Sequence, residues 1–278
     1  MGKWKNDAQV AVLVSYDFDA ETLWTSRDPS NCNRVGTLSH GNYSGRTGVI
    51  DILEMLKQTR TRATFFVPGW TAEKYPDVME AIVEGDHEVG HHSWDHKWVS
   101  PETADLAVEE ENFVKTIEML KKYTGKKPKG WRCPAGEVSP FDLSLLKKYE
   151  LEYSSNMMAD YLPYWLEIGG EKTGIVELPF QWITDDAPFM LFSVRPPYRN
   201  IIPNHEILEL WKEEFLGIYR QGGLYNLCMH PQFSGRPSRV DMTRDLIHYM
   251  QKFPNVWFAT GEEITAYWKE NIDKFERQ

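Results

Sequence analysis

Residues 10–16, Val-Ala-Val-Leu-Val-Ser-Tyr, form a near-continuous apolar run. A run of this length without polar alternation suits a strand buried on both faces, the situation of a parallel sheet covered by helices. The chain then repeats the theme. Segments 63–67, 87–90, 130–133, 151–154, 175–182, 224–229 and 256–259 read as further strands. Between them lie helix signals: Val49, Ile52, Leu53 and Leu56 on one face of 48–58, a helix from Thr71 to 85, and one from Pro101 to 123 opened by Ser100. Others start at Ser139-Pro140, Asn204 and Ser238, and the last at Thr260 with Glu263 as a capping box. Such alternation predicts an α/β fold built on a parallel sheet or barrel of about seven or eight βα units. Residues 20–47, 155–174 and the stretch after 182, which holds Asp185, Asp186, Phe189, Phe192 and Arg195, read as long loops. Loops of that length in a compact domain usually carry function.

In barrels the chemistry gathers at the C-terminal ends of strands. The chemically suggestive residues of this chain fall there: Asp17 and Asp19 after the first run, a histidine cluster after the third, Arg132 after the fourth and His230 after 224–229. The cluster, Asp86-His-Glu-Val-Gly-His-His-Ser-Trp-Asp-His96, holds four of the eight histidines. Neutral imidazoles at this density suit a borderline metal such as zinc. Two pairings compete. His87-Glu88-Val89-Gly90-His91 matches the H-E-x-x-H pattern of helical zinc proteases. That reading needs a helix, whereas Gly85-Asp86 reads as a helix stop and Gly90 sits inside the motif. A short strand followed by His92-x-x-x-His96 as the ligand pair fits better.

Composition removes other classes. The formal net charge is −10 and charged residues are well mixed, so no basic surface for nucleic acid is visible. No apolar run is long enough for a signal peptide or membrane span, and Asn6 breaks the myristoylation pattern that Met1-Gly2 begins. Cys32, Cys133 and Cys228 form no Cys-x-x-Cys pair or disulfide framework, which points to a reducing, cytoplasmic setting. No linker-like segment divides residues 1–278, which read as a single catalytic domain.

Taken in order, Asp17-Phe18-Asp19, His92-x-x-x-His96, Arg132-Cys133-Pro134 and Leu227-Cys228-Met229-His230-Pro231 resemble the polysaccharide deacetylase family, carbohydrate esterases with a NodB-type domain. Further features resemble its intracellular branch of peptidoglycan-deacetylase-like proteins, allantoinases and cyclic imide hydrolases. These are Ser39-x-Gly41-x-Tyr43-x-x-Arg46-x-Gly48, His87-Glu88-Val89-Gly90, Glu177-Leu178-Pro179, Asp185-Asp186 and Trp257-Phe258-Ala259-Thr260-Gly261. The chain departs from the pattern at Asp86, where a glycine is usual, and at Tyr161, where the branch often has a second Asp. It also lacks the Asp-Gly-Pro tail of the first motif. The resemblance implies a distorted (β/α) barrel of about seven parallel strands. It implies Asp19, His92 and His96 as ligands of one divalent ion, zinc first, with cobalt, manganese or iron compatible. Asp17 would be the base, Arg132 its partner and His230 the general acid.

The implied reaction is hydrolysis of a non-peptide amide C–N bond by a water that the metal activates. The expected substrate is a small cyclic imide or ureide. The alternatives are N-acetyl deacetylation of a sugar or peptidoglycan fragment, and a non-catalytic binding protein on a degenerate fold. Trp24, Tyr43, Arg46, Trp182, Asp185 and Asp186, all in or beside the long loops, are expected to shape the substrate pocket. The branch's habit implies a homo-oligomer, a tetramer in the simplest case.

Overall fold

A computed structural model describes residues 3–275 except 101, 103, 195 and 196. Its strands are β1 (Val10–Asp17), β2 (Thr64–Val67), β3 (Glu88–His91), β4 (Gly130–Trp131), β5 (Tyr153–Ser154), β6 (Tyr164–Ile168), β7 (Glu171–Glu177), β8 (Phe192–Ser193), β9 (Tyr198–Arg199), β10 (Leu224–Met229) and β11 (Val256–Phe258). The main sheet runs β10-β1-β2-β3-β4-β5-β7-β6, parallel from β10 to β7, with β6 antiparallel at the far edge. β11 pairs with the first half of β1, on Val10 to Val12, and β2 with its end, on Ser15 to Asp17. All eight residues of β1 are buried, as its sequence predicts. The sheet curls with helices around it, the distorted barrel that was expected. The gap between β7 and β10 is bridged by side chains and loop backbone. Asn226 Nδ2 donates to Pro179 O at 2.9 Å, and Leu224 N and Asp186 N bond Tyr161 O and Cys228 O across the seam.

The histidine stretch enters as a strand, not a helix. Glu88 to His91 pair with Thr64 to Val67, and a Cβ on Gly90 would meet the Phe66 ring at 2.6 Å. The glycine that weakened a helical reading is there because an aromatic ring lies against the strand. Asp86, where a glycine is usual, takes φ 57°, in the left-handed region.

Four local expectations need correction. Residues 20–47 are largely helical, with turns at Thr22–Thr25, Pro29–Asn33 and Val35–Tyr43 that run through a π-turn at Ser44–Gly48 into the helix Val49–Thr59. Their small and polar residues hide this because the packing is backbone against backbone. The helix expected from Thr71 to 85 is two, Gly69–Lys74 and Pro76–Glu84, because Pro76 lacks the N–H to continue the first. The hydroxyl of Thr71 holds Asp19 O at 3.0 Å rather than capping a helix. The long helix begins at Leu106, capped by Asp105, whose carboxylate accepts from Ala107 N and Val108 N. Pro101, expected at its start, lies outside the described residues, as does Arg195. Finally, residues 155–174 contain the β6–β7 hairpin, turning at Gly169-Gly170 with both φ values positive. No helix among the described residues is long and apolar enough to cross a membrane.

Candidate active site

The C-terminal ends of β1, β3, β4 and β10 meet at one rim, and each delivers its polar residue to a shared point. Asp19 is fully buried, and its Oδ1 lies 3.3 Å from His92 Nε2 and 3.6 Å from His96 Nε2. Neither Asp19 Oδ1 nor His92 Nε2 has a hydrogen-bond partner. Orphaned buried polar atoms are costly, and here their lone pairs converge. The other ring nitrogen of His92 is fixed by Arg132 O at 2.7 Å, which leaves Nε2 free to ligate. Burial alone would raise the pKa of Asp19; His96, His92 and His230 beside it outweigh that and hold the carboxyl below the usual range. Burial depresses His96 to about 4, so its ring is neutral. One carboxylate and two imidazoles, with unsatisfied atoms facing one another, fit a divalent cation and leave positions open on it.

Asp17 sits two residues before Asp19, and its Oδ1 accepts from Arg132 Nη1 at 2.8 Å. The guanidinium is fully engaged: Nη1 also reaches Ser15 Oγ at 2.9 Å, Nε donates to Ser155 O at 3.1 Å, and Nη2 donates to Ser155 Oγ at 2.9 Å. Its face lies 4.2 Å from the Phe66 ring centroid. Such a clamp holds Asp17 in one orientation.

His230 stands across from both aspartates, its Nε2 3.9 Å from Asp19 Oδ2 and 4.0 Å from Asp17 Oδ2. Its Nδ1 is 2.6 Å from Asp186 Oδ1, and its backbone N donates to Asp186 Oδ2 at 2.9 Å. The Ser234 hydroxyl also donates to Asp186 Oδ2. Burial opposes charge on His230, but Asp186 and Asp185 outweigh it and raise its pKa well above the ordinary value. The two carboxylates thus favour the charged form of the ring. Asp185 is itself pushed up to about 7, chiefly by burial.

Backbone strain concentrates here as well. Ala20, Ser93, His96 and Ala135 all take left-handed φ without being glycine, each at a cost of ~1–2 kcal/mol. The glycines of the Ser39–Gly48 motif brace the rim. A Cβ on Gly41 would strike Ala20 O at 2.6 Å, and one on Gly48 would strike Pro231 O at 2.6 Å. The motif thus lets a helix press against the residues that follow Asp19 and His230.

A cavity of about 90 Å³ opens beside these groups, touching Asp17, His96, Arg132, Asp185, Trp182 and His230. A larger one, about 750 Å³, lies between the β6–β7 hairpin and the C-terminal helix, lined mainly by apolar side chains such as Leu162, Trp165 and Trp268 and remote from the histidines.

Of the residues expected at the pocket, Trp182 and Asp185 line it, and Asp186 lies beneath, holding His230. Trp24, Tyr43 and Arg46 do not reach it. Trp24 is 1% exposed and packs 4.9 Å from the His40 ring. The Tyr43 hydroxyl donates to Gly235 O at 3.0 Å, and Arg46 is exposed to solvent. Their helical setting turns them away. Sequence reasoning missed Gln232, whose Nε2 donates to Asp19 Oδ2 at 3.2 Å, and Ser155 and Asn226 around Arg132. Gln232, two residues after His230, carried no signal of its own.

Residues 40–154 match the sequence profile of the polysaccharide deacetylases. A Mycobacterium smegmatis protein assigned to the polysaccharide deacetylases is 31% identical, with a TM-score of 0.90 over 97% of this chain and 93% of that one. A Helicobacter pylori peptidoglycan deacetylase is 29% identical over 91% of this chain and 94% of its own. An allantoinase structure shares the fold at 22% identity and a TM-score of 0.82, covering 97% of this chain and 94% of that one.

Proposed function

The chain belongs to the polysaccharide deacetylase family, metal-dependent hydrolases of carbon–nitrogen bonds other than peptide bonds, and on that premise we propose that it hydrolyses an amide-type bond of a small cyclic imide or ureide. The carrying observation is the cavity itself: the base Asp17, the ligand His96 and the acid His230 line a space of about 90 Å³. That is room for one small planar ring or one acyl group.

Asp19, His92 and His96 would hold one divalent ion, zinc first. When bound, such an ion polarises the amide carbonyl and lowers the pKa of water beside it. Asp17, kept in place by Arg132, takes the proton of the attacking water. His230 enters protonated and delivers its proton to the departing nitrogen, with Asp186 holding the ring in the donating orientation. The intact set speaks against a degenerate binding protein.

Deacetylation of an N-acetyl sugar is the second reading, favoured by the curated peptidoglycan deacetylase aligned along nearly the whole chain. An acetamido group entering through the cavity mouth would meet the same residues. We also read the chain as one domain of a cytoplasmic homo-oligomer, a tetramer in the simplest case. The three free cysteines support a reducing compartment, and exposed Val35, Phe192, Val194 and Ile201 support apolar contact between copies.

The test is a turnover panel of succinimide, hydantoin, allantoin and N-acetylglucosamine with metal-free and zinc-reloaded protein. We expect turnover only after reloading, and on a cyclic member. Full activity without metal sinks the mechanism, and turnover of the sugar alone installs the second reading.

A further inference from the structure

The cavity has a charged mouth. Of its lining residues only Arg27, Ala135 and Trp182 are exposed, so these three mark the opening, and Arg27 is the one charged side chain among them. Inside, the other guanidinium of the lining, Arg132, has its donors committed to Asp17, Ser15 and Ser155. Arg27 has no carboxylate within ion-pair distance among the described residues. Its guanidinium rests over the Tyr198 ring at 5.1 Å from the centroid, a stacking that orients the group without using its N–H donors. An oriented cation with unused donors, at the entrance of a cavity whose floor does the chemistry, is suited to hold the non-reacting end of a substrate.

We propose that Arg27 is a specificity residue that binds a carboxylate carried by the substrate, so that the substrate class is a small amide or ureide bearing an acidic side group. This rests on the reading of the site as an amide hydrolase. A carboxylate matches a single guanidinium fork, two parallel N–H donors to two oxygens. A phosphate would ask for further cations, and the exposed residues at the mouth provide none. The side group would be anchored at the rim while the amide reaches Asp17 and His230.

The experiment uses the full chain reloaded with zinc and two matched pairs, hydantoin against hydantoin-5-acetate and N-acetylglucosamine against N-acetylmuramic acid. Within each pair the second compound adds a carboxylate. In the unaltered protein kcat/KM should favour the carboxylated member of at least one pair by about tenfold or more. Arg27→Gln should bring that ratio close to one, mainly through KM, and Arg27→Lys should restore part of it. Equal kcat/KM within both pairs, or a preference that survives Arg27→Gln, overturns the proposal. If no compound is turned over, the hydrolase reading fails by itself, and calorimetric affinities for the same four compounds decide the inference. Tighter binding of a carboxylated member that Arg27→Gln abolishes supports it, and equal affinities overturn it.

Discussion

Within ten residues the chain carries two histidine pairs that have the same residue type and opposite situations. His87 and His91 have their lone pairs taken by backbone N–H groups. His87 Nδ1 accepts from Ala63 N at 3.1 Å; His91 Nδ1 accepts from Ser93 N at 3.2 Å, and its Nε2 donates to Phe113 O at 3.1 Å. His92 and His96 are satisfied on one side only. His92 Nδ1 is bonded while its Nε2 is an orphan, and His96 Nε2 faces only Asp19, at 3.6 Å. Burial lowers the pKa of His87 to about 4 and of His91 to about 3, so both are as neutral as a ligand must be. Neutrality and proximity therefore do not separate the pairs. What separates them is whether the fold has already used the lone pair. Buried carboxylates follow the same division. Glu88 is bonded by Thr64, Tyr153 and Glu262 N, whereas Asp19 leaves one oxygen bare.

The widest gap between the pairs should appear in metal content. Asp19→Ala and His92→Ala are expected to lose bound metal by elemental analysis and ~10³-fold or more in turnover. His87→Ala should keep both, and a metal-depleted His87 variant would break the comparison. A smaller effect is expected one step further out, at the support of His230. A general acid works only while protonated, so the rate falls as pH rises through its pKa. Asp186 raises that pKa, and Asp186→Asn should move the alkaline limb of the kcat/KM profile to lower pH. We expect a loss of about tenfold to a hundredfold on that limb with metal retained; an unmoved limb would remove His230 from the acid role.

His91→Ala should show the structural side of the contrast. It strips partners from Ser93 N and Phe113 O and a ring packed 4.2 Å from Phe113, for roughly 2–4 kcal/mol by denaturant titration. Metal stoichiometry of the folded protein should be unchanged. The smallest effect concerns Glu177, buried and bonded to Asn156 N and Met157 N, with its pKa raised to about 7, chiefly by burial. The folded state then holds a proton that the unfolded state releases near the ordinary carboxyl value. Stability is highest below that value and declines as pH rises toward 7. Glu177→Gln should flatten the thermal-stability profile between about pH 5 and 7, and an unchanged slope would refute it.

The barrel was legible because a strand buried on both faces has an unmistakable composition, as β1 shows. Asp17, Asp19, His92, His96, Arg132 and His230 were legible because each closes such a strand, and the fold fixes where strand ends go. Trp24, Tyr43 and Arg46 misled because they lie in a stretch whose helices are specified by glycine contacts with Ala20 and Pro231, which have no hydrophobic period. The direction of a side chain there depends on tertiary packing. Asp186 was seen, but its bond to His230 joins residues 44 positions apart and is not encoded in either motif.

The pairing of β1 has a temporal consequence. It joins β2 on one side, yet its other partners, β10 and β11, are made only after every strand between them; Ser15 and Leu227, bonded at 2.9 Å, are 212 residues apart along the chain. Contacts so distant in sequence form late and slowly. The strand that presents Asp17 and Asp19 is thus translated before the other strands of its sheet and completed after most of them. A ribosome-bound fragment ending before residue 224 would hold all three ligands without the frame that aims them. Competence to capture an ion should therefore arrive in one step with the closing of the sheet, and nascent chains stalled on either side of β10 would show it.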